Sequence, residues 1–187
     1  PSHSPWAAAV LLVPKKSGEM RFALDFRLVN ASTVSDSYPL PRAADALSSL
    51  SGNRYFSALD ALAGFWNIPM ADEEAKQKTA FRCHRGSFQF TRMPFGLRNA
   101  PAAFQRYMDS ALAGLNFKCA LIYLDDILVM SPSFEQHLHD LEAVFNCVRK
   151  AGLHLKLKKC TFASDSVDYL GHVVNRHGVT PCPKKVK

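Results

Sequence analysis

The sequence predicts an α+β fold in which an antiparallel sheet carries helices on one face. Short runs rich in β-branched and aromatic residues follow one another with turn residues between them, which is the pattern of strands. Two later segments repeat apolar residues at helical spacing instead. With 187 residues, 48% of them hydrophobic, the chain can bury a core as one globular unit or as two interlocked subdomains.

The first predicted elements form a hairpin with a basic tip. Residues 8–13 and 20–26 are strand candidates, and the turn at residues 15–18 contains two lysines and a glycine. Residues 35–41 include two prolines and are predicted to be irregular. A short helix is predicted over residues 42–50, because a Ser-Gly-Asn sequence follows it.

The middle of the chain is predicted to contain a strand, a helix and a second hairpin. Residues 55–59 form a strand candidate that ends on Asp60. Residues 63–66 predict a turn into a helix, and residues 79–81 and 87–90 predict an antiparallel pair.

Two longer helices are predicted from apolar spacing. One begins at Pro101, since proline suits the first helical position, and runs for about four turns. The other ends at Gly152, a residue suited to a helix C-terminus. A hairpin centred on two aspartates separates them, and strands over residues 153–157 and 167–174 follow. In the first helix the spaced residues are Phe104, Met108, Leu112 and Leu115, and this helix should face the core. In the second helix they are Phe134, Leu138, Leu141, Phe145 and Val148.

Charge and hydropathy limit the classes of partner. A formal net charge of +7 favours a polyanionic partner, although a solvated lysine-rich surface explains the same value. No apolar stretch approaches the ~18 residues of a membrane span, and no signal-peptide pattern opens the chain. We therefore expect a soluble protein with no membrane partner.

Cysteine and histidine positions argue against a structural metal site. The five cysteines include no C-x-x-C pair, so we expect reduced thiols in an intracellular protein, with neither a disulfide framework nor a zinc knuckle. His137 and His139 lie two positions apart on a predicted helix and therefore do not share a face. We expect no metal site at these histidines.

The chemistry is predicted at three aspartates. Asp125 and Asp126 interrupt an apolar run over residues 120–130, and buried carboxylates need a cation beside them. If the strand ending on Asp60 lies next to this hairpin, three carboxylates converge on one rim. Two Mg²⁺ ions about 3.5 to 4 Å apart would satisfy them and perform polymerase or nuclease chemistry. The alternative is an ordinary Asp-Asp turn with an unrelated Asp60, because acidic residues favour turns.

One motif and the blocks around it favour the first interpretation. The box Tyr123-Leu124-Asp125-Asp126 resembles the signature of reverse transcriptases. Seven further blocks accompany it, at residues 24–30, 38–41, 59–60 with 64–65, 79–81, 93–101, 158–160 and 169–171. In order and spacing they resemble the polymerase of Gypsy-type long-terminal-repeat retrotransposons, and they cover essentially the whole chain.

The resemblance implies the fingers and palm of a right-handed polymerase. The fingers would comprise residues 1–35 and 68–99, and the palm residues 36–67 and 100–176. Residues 177–187 would start the connection to a thumb that is absent from the sequence. The RNase H and integrase parts of the parent Pol polyprotein are also absent, so we expect a piece excised from a longer protein.

The resemblance also implies the catalytic residues. Asp60, Asp125 and Asp126 match the catalytic carboxylates of the family, which hold two Mg²⁺ ions, with Mn²⁺ as an alternative. Either Lys158 or Lys159 would protonate the pyrophosphate leaving group as a general acid, and the resemblance leaves open which one does so.

The remaining implied residues bind nucleotide, template or primer. Lys15 or Lys16, with Arg21, would grip the triphosphate, and Phe65 would contact the sugar of the incoming nucleotide. Without the family, the two lysines are a solvated loop and Phe65 is a core residue. The implied positions are Lys15, Lys16, Arg21, Ala63, Gly64, Phe65, Phe95 and Gly96 for the nucleotide, and Leu170, Gly171 and His172 for the primer grip.

The function expected from this resemblance is RNA-directed DNA polymerase activity. Retrotransposon RNA would be copied into DNA from a primer on an RNA or DNA template, with deoxynucleoside triphosphates as substrates. The compartment would be a cytoplasmic virus-like particle, with the nucleus as the alternative. The competing hypothesis is a degenerate remnant that binds nucleic acid through its basic surface and catalyses nothing.

Overall fold

The structure is a computed structural model, and it describes residues 1–14, 18–62 and 64–182. The chain divides into two compact units, Pro1–Ser37 with Phe65–Phe104, and Tyr38–Gly64 with Gln105 onward. In chain order the elements are β1 (Ala9–Pro14), β2 (Met20–Asp25), α1 (Arg27–Ser32), α2 (Ala43–Ser48), β3 (Tyr55–Asp60), α3 (Glu73–Lys78), β4 (Phe81–Cys83), β5 (Gly86–Phe88), α4 (Ala100–Ala111), β6 (Ala120–Tyr123), β7 (Asp126–Ser131), α5 (Phe134–Lys150), β8 (Thr161–Ser164), β9 (Ser166–Tyr169), β10 (His172–Asn175) and β11 (Gly178–Pro181), with 3₁₀ turns at Gly64–Asn67 and Leu157–Lys159.

The first unit is built on two hairpins. Strands β1 and β2 form one and β4 and β5 the other, and a bridge between Ala8 and Phe81 links them. Aromatic rings cluster at this junction, because the ring of Phe81 contacts those of Phe22, Phe88 and Phe90. The residues predicted to form the second hairpin therefore build an apolar cluster of this unit.

The second unit contains two antiparallel sheets. The larger has the strand order β6-β7-β3-β8, and the smaller has the order β11-β10-β9. Helix α5 packs on β7 and β3. Phe56, Leu121, Leu128 and Val174 are buried in one cluster that joins side chains of both sheets. Burying each of them contributes about 1.5–3 kcal/mol to folding, so this cluster fixes the strands that carry the candidate site.

The predicted α+β class is confirmed. Every pairing between the named strands is antiparallel, and α5 lies against the larger sheet. Within the described ranges, no helix is long and apolar enough to cross a membrane.

Two short helices, α1 and α3, are missing from the predicted elements. Neither buries a residue, so neither carries the apolar stripe by which a helix is recognised. Local polar contacts define α3 instead. The carboxylate of Asp72 caps it by accepting a hydrogen bond from the Ala75 N–H at 2.7 Å, and Lys78 pairs with Glu74 at 2.6 Å.

The strand predicted over residues 153–157 is wrong. Within this stretch, only Leu155 pairs with another segment, in a single bridge to Ala61, before the chain enters a 3₁₀ turn. The predicted first long helix is also shorter than four turns. Helix α4 ends at Ala111, so Leu115 lies beyond it in the connection to β6.

The strand predicted over residues 167–174 is two strands, β9 and β10. Leu170 and Gly171 have positive φ values of 47° and 81°, and together they turn the chain back on itself. Positive φ at both central residues is the pattern of a type I′ hairpin. A further strand, β11, pairs with β10 and is absent from the predicted elements.

The buried face of α5 follows the apolar spacing in the sequence only in part. Phe134 and Leu138 are exposed, at 43% and 52%. His137 is fully buried instead, because hydroxyls lie on both of its ring nitrogens: Ser57 Oγ is 2.7 Å from Nε2, and Ser131 Oγ is 2.9 Å from Nδ1. A satisfied histidine can therefore occupy a core position that apolar spacing alone does not assign. The buried residues of α5 are His137, Leu141, Val144 and Val148.

Candidate active site

Three carboxylate residues meet at one end of the larger sheet. Strands β3 and β7 are paired so that Asp60 lies directly opposite Asp126. Asp125 lies in the loop between β6 and β7, and its carbonyl oxygen accepts a hydrogen bond from the Ala61 N–H at 2.9 Å. The sheet register therefore brings the three aspartates to one rim.

The loop that carries Asp125 is short and strained. Because Tyr123 pairs with Asp126, only Leu124 and Asp125 connect the two strands. Leu124 has a φ of 52°, in the left-handed region, which costs a non-glycine residue about 1–3 kcal/mol. Such a conformation persists only where surrounding contacts hold it.

Lys159 provides a cation at this rim. Its Nζ lies 2.7 Å from Asp60 Oδ2, and the backbone N–H of Lys156 donates to the Asp60 carbonyl oxygen at 2.9 Å. The hydrogen bond to Asp60 raises the pKa of Lys159, and the charges of the three aspartates act in the same direction, against the effect of burial. Within the described part of the chain, the neighbouring Lys158 makes no ion pair. The structure thus separates two lysines that the sequence leaves equivalent.

The negative charge at the rim exceeds what Lys159 offsets. The pKa of Asp126 is raised, first by partial burial and then by the charges of Asp125 and Asp60, while Lys159 acts in the opposite direction. A raised carboxyl pKa means that the ionised form is disfavoured where it stands. Because three carboxylates meet one ammonium group here, an added cation would be attracted to this rim.

A cleft of about 280 Å³ opens beside the aspartates. Its walls include Asp60, Asp126 and Lys159, and also Asp168 and Tyr169, to which the sequence assigned no role. Tyr169 is 3% exposed, and its hydroxyl has no hydrogen-bond partner among the described residues. Burial, followed by the charge of Asp126, raises the pKa of Tyr169, so its hydroxyl remains protonated. The available signal for Tyr169 was its place in the block at residues 169–171, just before the Leu170-Gly171 turn.

The donor chemistry of the rim fits a hard divalent cation. Carboxylate oxygens are the ligands that Mg²⁺ and Mn²⁺ prefer, and neither cysteine nor histidine lines the cleft. However, the Lys159 ammonium donates a hydrogen bond to Asp60 Oδ2, an oxygen that such an ion would use as a ligand. Among the residues that the structure describes, no group of three His, Cys, Asp or Glu side chains is arranged to hold a metal ion.

The predicted nucleotide-binding residues belong mainly to the first unit. Arg21 is exposed on β2, opposite Val13. Phe65 is half-buried and makes edge contacts with the rings of Phe95, at 5.0 Å, and Phe104, at 5.4 Å. Phe95 itself is 58% exposed. Lys15, Lys16 and Ala63 lie outside the described residues, and Gly64, which is buried, belongs to the second unit.

Asn30 holds the loop that contains Phe95 and Gly96, and Asn99 ties the end of the same block to Val34; the sequence assigned a role to neither. Asn30 donates from Nδ2 to the Gly96 carbonyl at 2.8 Å and accepts from the Arg98 N–H at 2.7 Å. Gly96 has a φ of 93°, a conformation that suits glycine. Asn99 donates to the Val34 carbonyl at 2.8 Å. Both asparagines lie inside the blocks at residues 24–30 and 93–101, which was the signal for them.

The predicted primer-grip residues form the β9–β10 turn in the second unit. Tyr169 pairs with His172, and Leu170 and Gly171 form the loop between them. The Gly171 carbonyl accepts a hydrogen bond from the Cys182 N–H at 3.0 Å, which ties the turn to the end of β11. A glycine here lets another backbone approach closely.

Comparisons with known proteins agree with this architecture. A family model described as reverse transcriptase (RNA-dependent DNA polymerase) matches residues 13–174. The chain is 42% identical over its whole length to the retrovirus-related Pol polyprotein from transposon 297 of Drosophila melanogaster, and it spans 18% of that protein. It is 34% identical, again over its whole length, to the Pol polyprotein from transposon gypsy of the same species, of which it spans 19%. The chain thus spans about a fifth of the length of these curated relatives.

Solved structures give the same result for the fold. A foamy viral protease-reverse transcriptase in complex with double-stranded DNA superposes on 98% of this chain with a TM-score of 0.89 and 28% identity, and the match spans 32% of that structure's chain. A foamy viral protease-reverse transcriptase in complex with an RNA/DNA hybrid superposes with a TM-score of 0.89 and 27% identity, and the match spans 24% of that structure's chain.

Proposed function

Because the chain belongs to the reverse transcriptase (RNA-dependent DNA polymerase) family, we propose that it is the polymerase part of a Gypsy-type Pol polyprotein and copies RNA into DNA. The observation that carries this proposal is the rim of the larger sheet, where Asp60 lies opposite Asp126 beside Asp125 and an ammonium group from Lys159. A cation-attracting carboxylate cluster with a proton donor is what nucleotidyl transfer requires.

In this proposal the two compact units are the fingers and the palm of the polymerase. Residues 1–35 and 68–99 form the fingers, residues 36–67 and 100–176 form the palm, and residues 177–187 lead towards a thumb. The unit boundaries, which fall after Ser37, Gly64 and Phe104, support this division.

The palm aspartates prepare the reacting groups. Asp60 and Asp125 would hold the divalent cation, and Asp126 would contribute less. When bound, Mg²⁺ or Mn²⁺ supplies positive charge that favours ionisation of the primer 3′-hydroxyl and offsets the charge of the phosphates. The aspartates therefore set where the hydroxyl attacks the α-phosphorus.

Lys159 is the general acid in this mechanism. Its raised pKa keeps it protonated at neutral pH, and its Nζ reaches the rim where the reaction takes place. As the bond from the α-phosphorus to the bridging oxygen breaks, the ammonium gives its proton to the departing pyrophosphate oxygen. Lys158, one residue away, is left on the surface.

The remaining residues bind the substrates. Lys15 or Lys16, with Arg21, neutralises the triphosphate. Phe65 contacts the sugar of the nucleotide, and Ala63 and Gly64 are further nucleotide-binding positions. Phe95 and Gly96 support the template and the nucleotide, and the turn of Leu170, Gly171 and His172 supports the primer. The net charge of +7 supports binding of an RNA or DNA template, as does the nucleic acid present in the matched foamy viral structures.

The proposed setting is that of a retrotransposon. RNase H and integrase would be parts of the same polyprotein, and a cytoplasmic virus-like particle would be the compartment. Transposons 297 and gypsy, whose Pol polyproteins match the whole chain, support this setting.

A second candidate function is nucleic-acid binding without catalysis. The observation in its favour is that Lys159 forms an ion pair with Asp60. In addition, no three His, Cys, Asp or Glu side chains among the described residues are arranged to hold a metal ion. Single-nucleotide addition to oligo(dT) on poly(rA), with and without Mg²⁺, separates the two functions. The polymerase proposal predicts addition that requires Mg²⁺ and dTTP. Binding of the primer-template without addition would establish the second function instead.

A further inference from the structure

The strained loop of the candidate site is held by a buried glutamine. Gln105, on α4, is fully buried, and its Oε1 accepts a hydrogen bond from the Leu124 N–H at 2.8 Å. Leu124 is the residue with φ of 52° that directly precedes Asp125. The acceptor therefore meets the backbone at the point of strain.

The orientation of the Gln105 amide is fixed by its other contacts. Its Nε2 donates to Asp109 Oδ1 at 3.0 Å and lies 3.4 Å from the Ile122 carbonyl oxygen. Both are acceptors, so a flipped amide would place two oxygens together and leave the Leu124 N–H facing a donor. The second carboxylate oxygen of Asp109 accepts from the Tyr38 hydroxyl at 2.7 Å, which holds Asp109 in turn.

The two ends of the loop are held from different elements. Gln105 holds the N–H of Leu124 from α4, and the Ala61 N–H holds the carbonyl of Asp125 from the end of β3. Together the two contacts fix the orientation of the peptide groups on either side of the loop, Tyr123–Leu124 and Asp125–Asp126, and so the orientation of the loop itself. That orientation sets the direction of the Asp125 side chain relative to Asp60.

We propose that Gln105 is a positioning residue, which keeps Leu124 in its left-handed conformation and so presents the Asp125 carboxylate to a divalent cation. Its effect on catalysis rests on the proposed polymerase function. Its effect on the loop does not, because that effect follows from hydrogen bonds within the second unit alone.

The test is Gln105→Met, which keeps the length of the side chain and removes both polar atoms. Gln136→Met is the matched control, because Gln136 also donates to an aspartate four residues later on a helix, Asp140, at 2.9 Å. The purified 187-residue chain is examined by amide hydrogen exchange, by Mn²⁺ titration followed by electron paramagnetic resonance, and by thermal melting.

In Gln105→Met, the Leu124 amide should exchange about tenfold faster or more, the equivalent of one lost hydrogen bond, and Mn²⁺ affinity should fall about tenfold. Gln136→Met should leave both quantities unchanged. In single-nucleotide addition, Gln105→Met should lower kcat while the KM for the nucleotide changes less than about twofold, because the substrate-binding residues are untouched.

Wild-type exchange at Leu124 and wild-type Mn²⁺ affinity in a folded Gln105→Met variant would overturn the proposal. If that variant does not fold, Asp109→Leu gives the same test, because it keeps the approximate size of the side chain but removes the acceptor that orients the Gln105 amide. Faster Leu124 exchange in Asp109→Leu supports the proposal, and unchanged exchange overturns it. Failure of the polymerase function is seen separately, as absence of nucleotide addition by the wild-type chain.

Discussion

Replacing Lys159 with methionine tests the general-acid assignment, and its neighbour Lys158 provides a matched control. Lys159 Nζ lies 2.7 Å from Asp60 Oδ2, and the hydrogen bond to Asp60 raises its pKa, so it carries a proton at neutral pH. Loss of a general acid slows the chemical step by about 10²–10⁴-fold. The lysine side chain is 57% exposed, so breaking the ion pair should change the free energy of unfolding by no more than about 1 kcal/mol.

The same substitution should change divalent-cation affinity in the opposite direction. Lys159 competes with a cation for Asp60 Oδ2, so its removal should tighten Mn²⁺ binding by up to about fivefold, the equivalent of about 1 kcal/mol. A variant that binds the ion more tightly and yet reacts more slowly is difficult to explain by loss of structure. This pair of effects distinguishes proton donation from simple support of the site.

The assay is single-turnover addition of one nucleotide, with the chain in excess over primer-template, beside an Mn²⁺ titration of the same preparation. Lys158→Met should remain within about threefold of wild type in both measurements, as expected for an exposed surface substitution. If Lys158→Met slows the reaction more than Lys159→Met does, the acid is the other lysine. If Lys159→Met reacts within about threefold of wild type, the general-acid assignment is wrong.

Two further predictions concern the sugar contact and the buried histidine. Phe65→Val should raise the ratio of kcat/KM for CTP to that for dCTP by about tenfold or more, because a smaller side chain leaves room for the 2′-hydroxyl; an unchanged ratio in a folded variant would make Phe65 a packing residue only. Burial lowers the pKa of His137, and Asp140 opposes this only in part. The unfolded chain then binds more protons, so the free energy of unfolding should be highest above about pH 6.5 and should fall as the pH drops through that value towards the lowered folded pKa. Urea unfolding from pH 7.5 to 5 should show a weaker pH dependence in His137→Gln than in wild type, and an equal dependence in the two proteins would contradict this origin, with His139→Gln as the control.

The strands that carry the site could be predicted from the sequence because their signals are local. An apolar run surrounds Asp125 and Asp126, and a short run of strand-forming residues ends on Asp60. The pairing that places Asp60 opposite Asp126 could not be predicted in the same way. The register of a sheet depends on contacts between distant segments, here β3 and β7. The expectation that the three aspartates meet came from the family resemblance, because a local pattern of residues does not give it.

The buried polar side chains His137 and Gln105 could not be predicted from the sequence either, because their partners come from other segments of the chain. His137 is buried because Ser57 and Ser131, far apart in the chain, both reach its ring. A polar residue looks exposed in a sequence until its partners are known. Gln105 is a similar case, since its acceptor role depends on a loop that α4 meets only in the folded protein.

The distinction between Lys158 and Lys159 also needed the structure. Two adjacent lysines have the same side chain and the same charge, so the sequence does not distinguish them. The 3₁₀ turn at Leu157–Lys159 decides which of them reaches Asp60. The strand predicted over residues 153–157 failed because its β pairing is the single bridge between Leu155 and Ala61, which leaves no periodic pattern.

The most direct test of the proposed function is single-nucleotide addition by Asp125→Asn, which removes the charge of one carboxylate and keeps its shape. The control is Asp168→Asn, because Asp168 lines the same cleft and is not a proposed ligand of the cation. We predict Mg²⁺-dependent addition of dTTP to oligo(dT) on poly(rA) by the wild-type chain, at least ~10³-fold slower addition by Asp125→Asn, and an unchanged melting temperature. Asp168→Asn should react at close to the wild-type rate. Addition by Asp125→Asn at the wild-type rate, or none by the wild-type chain, would contradict the assignment of this rim as a polymerase active site.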